Sequence, residues 1–141
     1  MKKLMIEANV DNLYEVLNFV NEYLRLHNCP PEPENQIDIA VEEIFVNIAK
    51  YAYQTGDGNV AIFISAVDDE ISVRFEDTGK PYNPLEQAAP DLDKPILERK
   101  IGGLGIFFVK QLMDKVEYMY VENKNVLVIT KIFNTNSQSI S

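Results

Sequence analysis

Three sets of residues in this chain have types and spacings suited to chemistry on a charged ligand. Glu43, Asn47 and Lys50 stand four and three residues apart. At about 100° per residue they form one stripe of a helix. That stripe borders the apolar face made by Ile37, Val41, Ile44 and Ile48. It is either a polar row beside the core or a solvated flank with a weak Glu-to-Lys pairing. The second set is one residue, Asp77. In Ile71-Ser72-Val73-Arg74-Phe75-Glu76-Asp77 the apolar residues alternate with polar ones, and Asp77 is in phase with the apolar set. A carboxylate continuing a core face must find donors or bear a large desolvation cost. It either caps the turn at Thr78-Gly79 or accepts from a ligand N–H such as an adenine amino group. The third set is Gly102-Gly103-Leu104-Gly105, which opens an apolar segment and follows Arg99 and Lys100. Glycines there let backbone N–H groups approach a phosphate, and a helix start adds a favourable dipole. The plain alternative is a hinge before an ordinary helix. No P-loop and no strand-linked Gly-x-Gly-x-x-Gly is present.

Elements that can position these residues follow from periodicity. Residues 2–8 read as a strand. Val10, Leu13, Leu17, Val20 and Leu24 predict a helix over 10–27, with Asn9 or Asp11 as cap. Pro30, Pro31 and Pro33 interrupt the chain, and a second helix runs from about Glu34 to Tyr53, closed by Gly56 and Gly58. Residues 60–67 and 71–77 form a hairpin about Asp68-Asp69-Glu70. Residues 79–101 lack a steady period and read as a long functional loop. A third helix follows the glycines. Two strands, about 117–122 and 126–133, are joined by Asn123-Lys124-Asn125. The polar tail 134–141 is expected to fray. The tally is an α/β (α+β) two-layer sandwich, with a mixed, largely antiparallel sheet covered on one face by three helices.

Composition narrows the classes. The chain has 141 residues with 13 Lys+Arg against 22 Asp+Glu, a net charge of −9. One domain spanning 1–141 is expected at roughly 150 residues per domain. The acidic balance argues against direct nucleic-acid binding and against anionic membrane surfaces. The single Cys29 allows no intrachain disulfide or Cys-based zinc cluster, and the lone His27, in a proline turn, reads as a surface or capping residue. No signal peptide or membrane-length apolar run is evident, so the cytoplasm is the expected location.

The order of the three sets resembles the GHKL ATPase superfamily, which includes the ATP-binding domains of gyrase, histidine kinases and MutL-type proteins. The residues that carry it are Glu43-Ile44-Phe45-Val46-Asn47-Ile48-Ala49-Lys50-Tyr51-Ala52-Tyr53, Asp77-Thr78-Gly79-Lys80-Pro81-Tyr82-Asn83-Pro84 and Gly102-Gly103-Leu104-Gly105-Ile106-Phe107. The resemblance covers roughly residues 4–133 and is closest to the anti-sigma-factor serine kinases. It implies a Bergerat-type ATP-binding fold with ATP and Mg²⁺ as cofactors. It implies that Asn47 binds Mg²⁺, that Glu43 orients or deprotonates the attacking hydroxyl, and that Asp77 accepts the adenine amino group, with Gly79 letting the chain pass the base. Gly102, Gly103, Leu104 and Gly105 would hold phosphates, and Lys50, Arg99 and Lys100 would lie near them. A lid over 85–101 is implied. So is a small regulatory protein as phosphorylation substrate, of the anti-anti-sigma type, with a sigma factor and a second copy of the chain as further partners. A nucleotide-gated interaction module, or an ATPase without protein-kinase activity, is the alternative. Two features depart from the serine kinases. Tyr51 stands where they often place a His, and Lys50-Tyr51 resembles the histidine-kinase version of that box. No phospho-accepting His helix is present.

Overall fold

The computed structural model describes residues 1–53, 57–86 and 103–133. Its elements are β1 (Lys2–Glu7), a 3-10 turn (Val10–Asn12), α1 (Leu13–Leu26), α2 (Pro31–Tyr51), β2 (Asn59–Val67), β3 (Glu70–Asp77), a second 3-10 turn (Pro84–Glu86), α3 (Gly103–Leu112), β4 (Lys115–Val121) and β5 (Lys124–Ile132). The strands form one sheet in the order β1-β2-β3-β5-β4, and every pairing is antiparallel. The expected mixed sheet is therefore antiparallel throughout these five strands. The tail 134–141 and most of the expected lid lie outside the described residues.

Strand β3 is the middle of the sheet, and its alternation decides which face carries the core. Ile71, Val73 and Phe75 are buried together with Val60, Ile62 and Ile64 of β2 and Leu127 and Ile129 of β5. Register places Phe75 opposite both Ile62 and Leu127. On this face lies α2, packed between α1 and α3. It contributes Ile37, Val41, Ile44 and Phe45 to the core. Each such side chain is worth about 1.5–3 kcal/mol of transfer free energy.

Local chemistry sets the boundaries. Asn9 caps the first turn by accepting from the Asp11 N–H. Helix α1 ends with Asn28 in the left-handed region at φ 58°. There Cys29 N–H donates to Leu24 O and Asn28 N–H to Arg25 O, the two bonds of a Schellman cap. Helix α2 then starts three residues before the expected Glu34, because Pro31 and Pro33 sit in its first turn, where an amide hydrogen has no helical partner. It ends at Tyr51 rather than Tyr53, with Ala52 as cap instead of the glycines. The β4–β5 link is shorter than expected. Glu122 and Asn123 both have positive φ, 53° and 64°, as a two-residue primed hairpin turn requires. Lys124 and Asn125 consequently belong to β5.

The seam between α1 and α2 holds a polar cluster. Arg25 of α1 faces Glu34 of α2 at 3.6 Å. Asp38, one turn further along α2, lies beside Asn21 of α1. Burial, reinforced by Glu34 and by Glu42, pushes the Asp38 carboxyl up to about 6 despite Asn21 and Arg25. Its folded value exceeds the ordinary 3.8, so folding is penalised once the pH rises through that window, and fully so above about 6. Asp38→Asn is therefore expected to stabilise the protein at pH 7.5 by about 1–2 kcal/mol, a figure reduced for the group's partial solvation. The gain should vanish below pH 4. Urea unfolding of both proteins at the two pH values measures it.

Candidate nucleotide-binding site

A cavity of about 470 Å³ opens between α2, the ends of β3 and β5, and α3. Its walls are apolar: Ile44, Ile48 and Ala52 from α2, Phe75 from β3, Ile106 from α3 and Leu127 from β5. Polar groups converge at two places, which suits a ligand with a flat apolar part and a charged part.

Asp77 marks the first. It is 6% exposed, the last residue of the central strand, and in phase with Phe75 and Val73. Both of its intramolecular donors reach one oxygen. Gly79 N–H donates to Oδ1 at 2.9 Å, and Asn125 Nδ2 donates to the same atom at 3.0 Å. Burial pushes the carboxyl above its ordinary value, and these two bonds oppose the shift. The turn and ligand roles weighed from the sequence are thus not exclusive, since Oδ1 caps the turn and Oδ2 takes neither bond.

The chain leaves β3 against the C-terminus of α2. Lys80 N–H donates to Ala52 O at 3.0 Å. A Cβ on Gly79 would stand 2.2 Å from that same carbonyl oxygen, so only glycine passes here. Tyr53 holds the preceding residue. Its hydroxyl donates to Asn59 O at 2.6 Å and accepts from Thr78 N–H at 3.0 Å.

The second polar place is on α2. Asn47 lines the cavity. Its Nδ2 donates to Glu43 Oε1 at 3.1 Å, one helical turn back. The bond engages the amide nitrogen and leaves Oδ1, a hard oxygen, as the group's remaining donor atom for a cation. Glu43 itself packs against α3, where a Cβ on Gly105 would fall 1.7 Å from Oε1. The first turn of α3 therefore abuts the Glu43 carboxylate.

The structure brings together Glu43, Asn47 and Gly105 at one side of the cavity, and Asp77 and Gly79 at another. Lys50 is exposed on α2 and does not line the cavity, whereas Lys80 does. Gly103 is the first residue of α3 and Leu104 the second. Arg99, Lys100 and Gly102 lie outside the described residues. Among the described residues no group of three or more His, Cys, Asp or Glu could hold a metal. The single hard oxygen of Asn47 is the kind of donor that Mg²⁺ takes from a protein when waters and phosphates supply the rest of its shell.

Sequence reasoning missed Asn125 and Tyr118 and gave no site role to Lys80 and Tyr82 of the Asp77 motif; all four line the cavity. Asn125 had a readable signal. It alternates with Leu127 and Ile129 as Asp77 does with Phe75 and Val73, once the preceding turn is counted as two residues.

Comparison with known proteins follows the same lines. The histidine kinase-like ATPase domain matches residues 6–131, from β1 into β5. Serine-protein kinase RsbW of Listeria monocytogenes is 32% identical over 120 residues, covering 78% of this chain and 76% of that protein. RsbW of Halalkalibacterium halodurans is 36% identical over 99 residues, covering 67% and 60% respectively. RsbW of Bacillus cereus is 30% identical over 94 residues, and the match spans 59% of its length. Among solved structures, that of the RsbU and RsbW domains of Rv1364c from Mycobacterium tuberculosis superposes with a TM-score of 0.62. It covers 94% of this chain and 32% of the other at 15% identity, which establishes a shared fold. With the family match running almost the full length of the described sheet and one relative above 30% over most of both chains, the protein belongs to the histidine kinase-like ATPase domain family.

Proposed function

We propose that the protein binds ATP with Mg²⁺ and transfers the γ-phosphoryl group to a serine or threonine hydroxyl of a small regulatory protein. The observation that carries this reading is the Glu43–Asn47 pair, joined at 3.1 Å beside the cavity and closed by Gly105. A carboxylate next to a cation-suited amide oxygen is what phosphoryl transfer to a hydroxyl calls for. The relatives named serine-protein kinase RsbW support the same direction.

In this reading Asp77 accepts the adenine amino group, and the apolar walls take the ring. Asn47 holds Mg²⁺, which supplies charge neutralisation at the phosphates. Glu43 orients the acceptor hydroxyl. As the oxygen–phosphorus bond forms and the bond to the β-phosphate bridging oxygen breaks, the hydroxyl proton passes to the Glu43 carboxylate and ADP leaves. Positioning and charge, rather than covalent catalysis, do the chemistry.

Glu43→Ala should reduce transfer of labelled phosphate to a candidate anti-anti-sigma-type protein by at least about 100-fold. Its ATP dissociation constant should stay close to the wild-type value. Tight ATP binding with no transfer by the wild-type protein would instead indicate a nucleotide-gated interaction module. Asn47→Ala should abolish the gain in ATP affinity that Mg²⁺ confers, measured by calorimetry with and without the metal.

Gly105→Ala tests the contact with α3. The three atoms nearest the added methyl all belong to the flexible end of Glu43, and alanine favours a helix over glycine by up to about 1 kcal/mol. Its thermal midpoint should therefore hold or rise while transfer falls. Gly79→Ala meets backbone and should lower the midpoint; differential scanning calorimetry separates the two.

A further inference from the structure

We propose that Asn125 is the positioning residue of the site: it fixes the orientation of Asp77 toward the base and ties β5 to the chain that leaves β3. The proposal rests on the reading of Asp77 as acceptor of the adenine amino group. Asn125 is 7% exposed and sits opposite Asp77 in the β3–β5 register. Its Nδ2 donates to Asp77 Oδ1 at 3.0 Å, to Lys80 O at 3.0 Å and, more weakly, to Gly79 O at 3.4 Å. Its Oδ1 accepts from Tyr82 N–H at 3.1 Å and from the Tyr118 hydroxyl.

These partners leave the amide one sense. Tyr82 N–H can only donate, so the atom facing it is oxygen. The carbonyls of Gly79 and Lys80 can only accept, so the atom facing them is nitrogen. The amide hydrogens are therefore held toward Asp77, and Tyr118 reinforces that sense by donating to the oxygen. Asp77 Oδ1 then takes two donors, one from Gly79 and one from Asn125. A ligand amino group is left to Oδ2, and the carboxylate plane is set by the two bonds on its partner oxygen. Without the Asn125 donor, Asp77 keeps only the Gly79 bond of its own turn, and its plane can rotate.

A residue that merely supports the fold would weaken all nucleotides alike. A residue that aims Asp77 must change the choice between a base carrying an amino group and one carrying a carbonyl in its place. The test is therefore the ratio of dissociation constants for ATP and inosine triphosphate, measured on the full chain by calorimetry. Wild type should prefer ATP at least tenfold. Asn125→Leu keeps the size but removes the donor, and its preference should fall to within twofold. Asn125→Ala should do the same, and it carries the test if the Leu variant does not fold. Asn125→Thr restores a hydroxyl donor on a strand-favouring residue and should recover part of the preference. Variants that bind both nucleotides more weakly at an unchanged ratio would overturn the role of Asn125. A wild-type protein that binds the two nucleotides equally would overturn the reading of Asp77 itself.

Discussion

The site depends on one constraint: a carboxylate that ends the central strand of the sheet on its buried face. Asp77 cannot be left without donors at that depth, since an unpaired buried charge costs more than the fold can spare. Its donors are drawn from the turn that follows, through Gly79, and from the neighbouring strand, through Asn125. Each donor in turn fixes something else. Gly79 has to be glycine because Ala52 O occupies the space of a Cβ. Asn125 has to sit opposite Asp77 in β5, and the two-residue β4–β5 turn leaves it there. The geometry at one end of the cavity thus follows from satisfying a single acid.

Helix α2 carries the other half of that arrangement. Ile37, Val41 and Ile44 bind it to the sheet, and the adjoining stripe turns Asn47 to the cavity and Glu43 to α3. Its C-terminus receives the chain leaving β3 through the Lys80–Ala52 bond. Both polar places are therefore referenced to one rigid element. The helix that carries Asn47 is thus bonded directly to the turn that carries Gly79. Sites built on helices and strands hold geometry better than sites built on loops.

Periodicity made the core faces legible, and with them Asp77 and the Glu43–Asn47 stripe, because both are defined by phase against apolar neighbours. The ends of elements were less legible. Pro31 and Pro33 read as breakers when they are first-turn residues, since the same missing N–H that stops a helix inside costs nothing at its start. Glu122 is an unusual residue for a left-handed turn position. The expected link, 123–125, therefore reaches two residues into β5 and places Asn125 in a turn. Lys50 shows the limit of angular arithmetic. It shares a stripe with Glu43 and Asn47, yet the cavity ends short of it, and Lys80 supplies the cation there from a stretch with no period at all.

Charge shows how a protein of net charge −9 can accommodate a polyanion. Repulsion between exposed charges is screened over about 8–10 Å at physiological ionic strength. What a phosphate meets is therefore the local set of donors, not the sum over the surface. In the proposed reading that local set is assembled from the start of α3 and a metal held at Asn47. Glu43 works against it, a negative group beside the place where phosphates would lie. A carboxylate so placed weakens ground-state binding unless the metal is present, and it earns that cost only when a hydroxyl proton has to be received. In the proposed transfer reaction that is the part Glu43 would play, beside the Asn47 amide to which it is bonded.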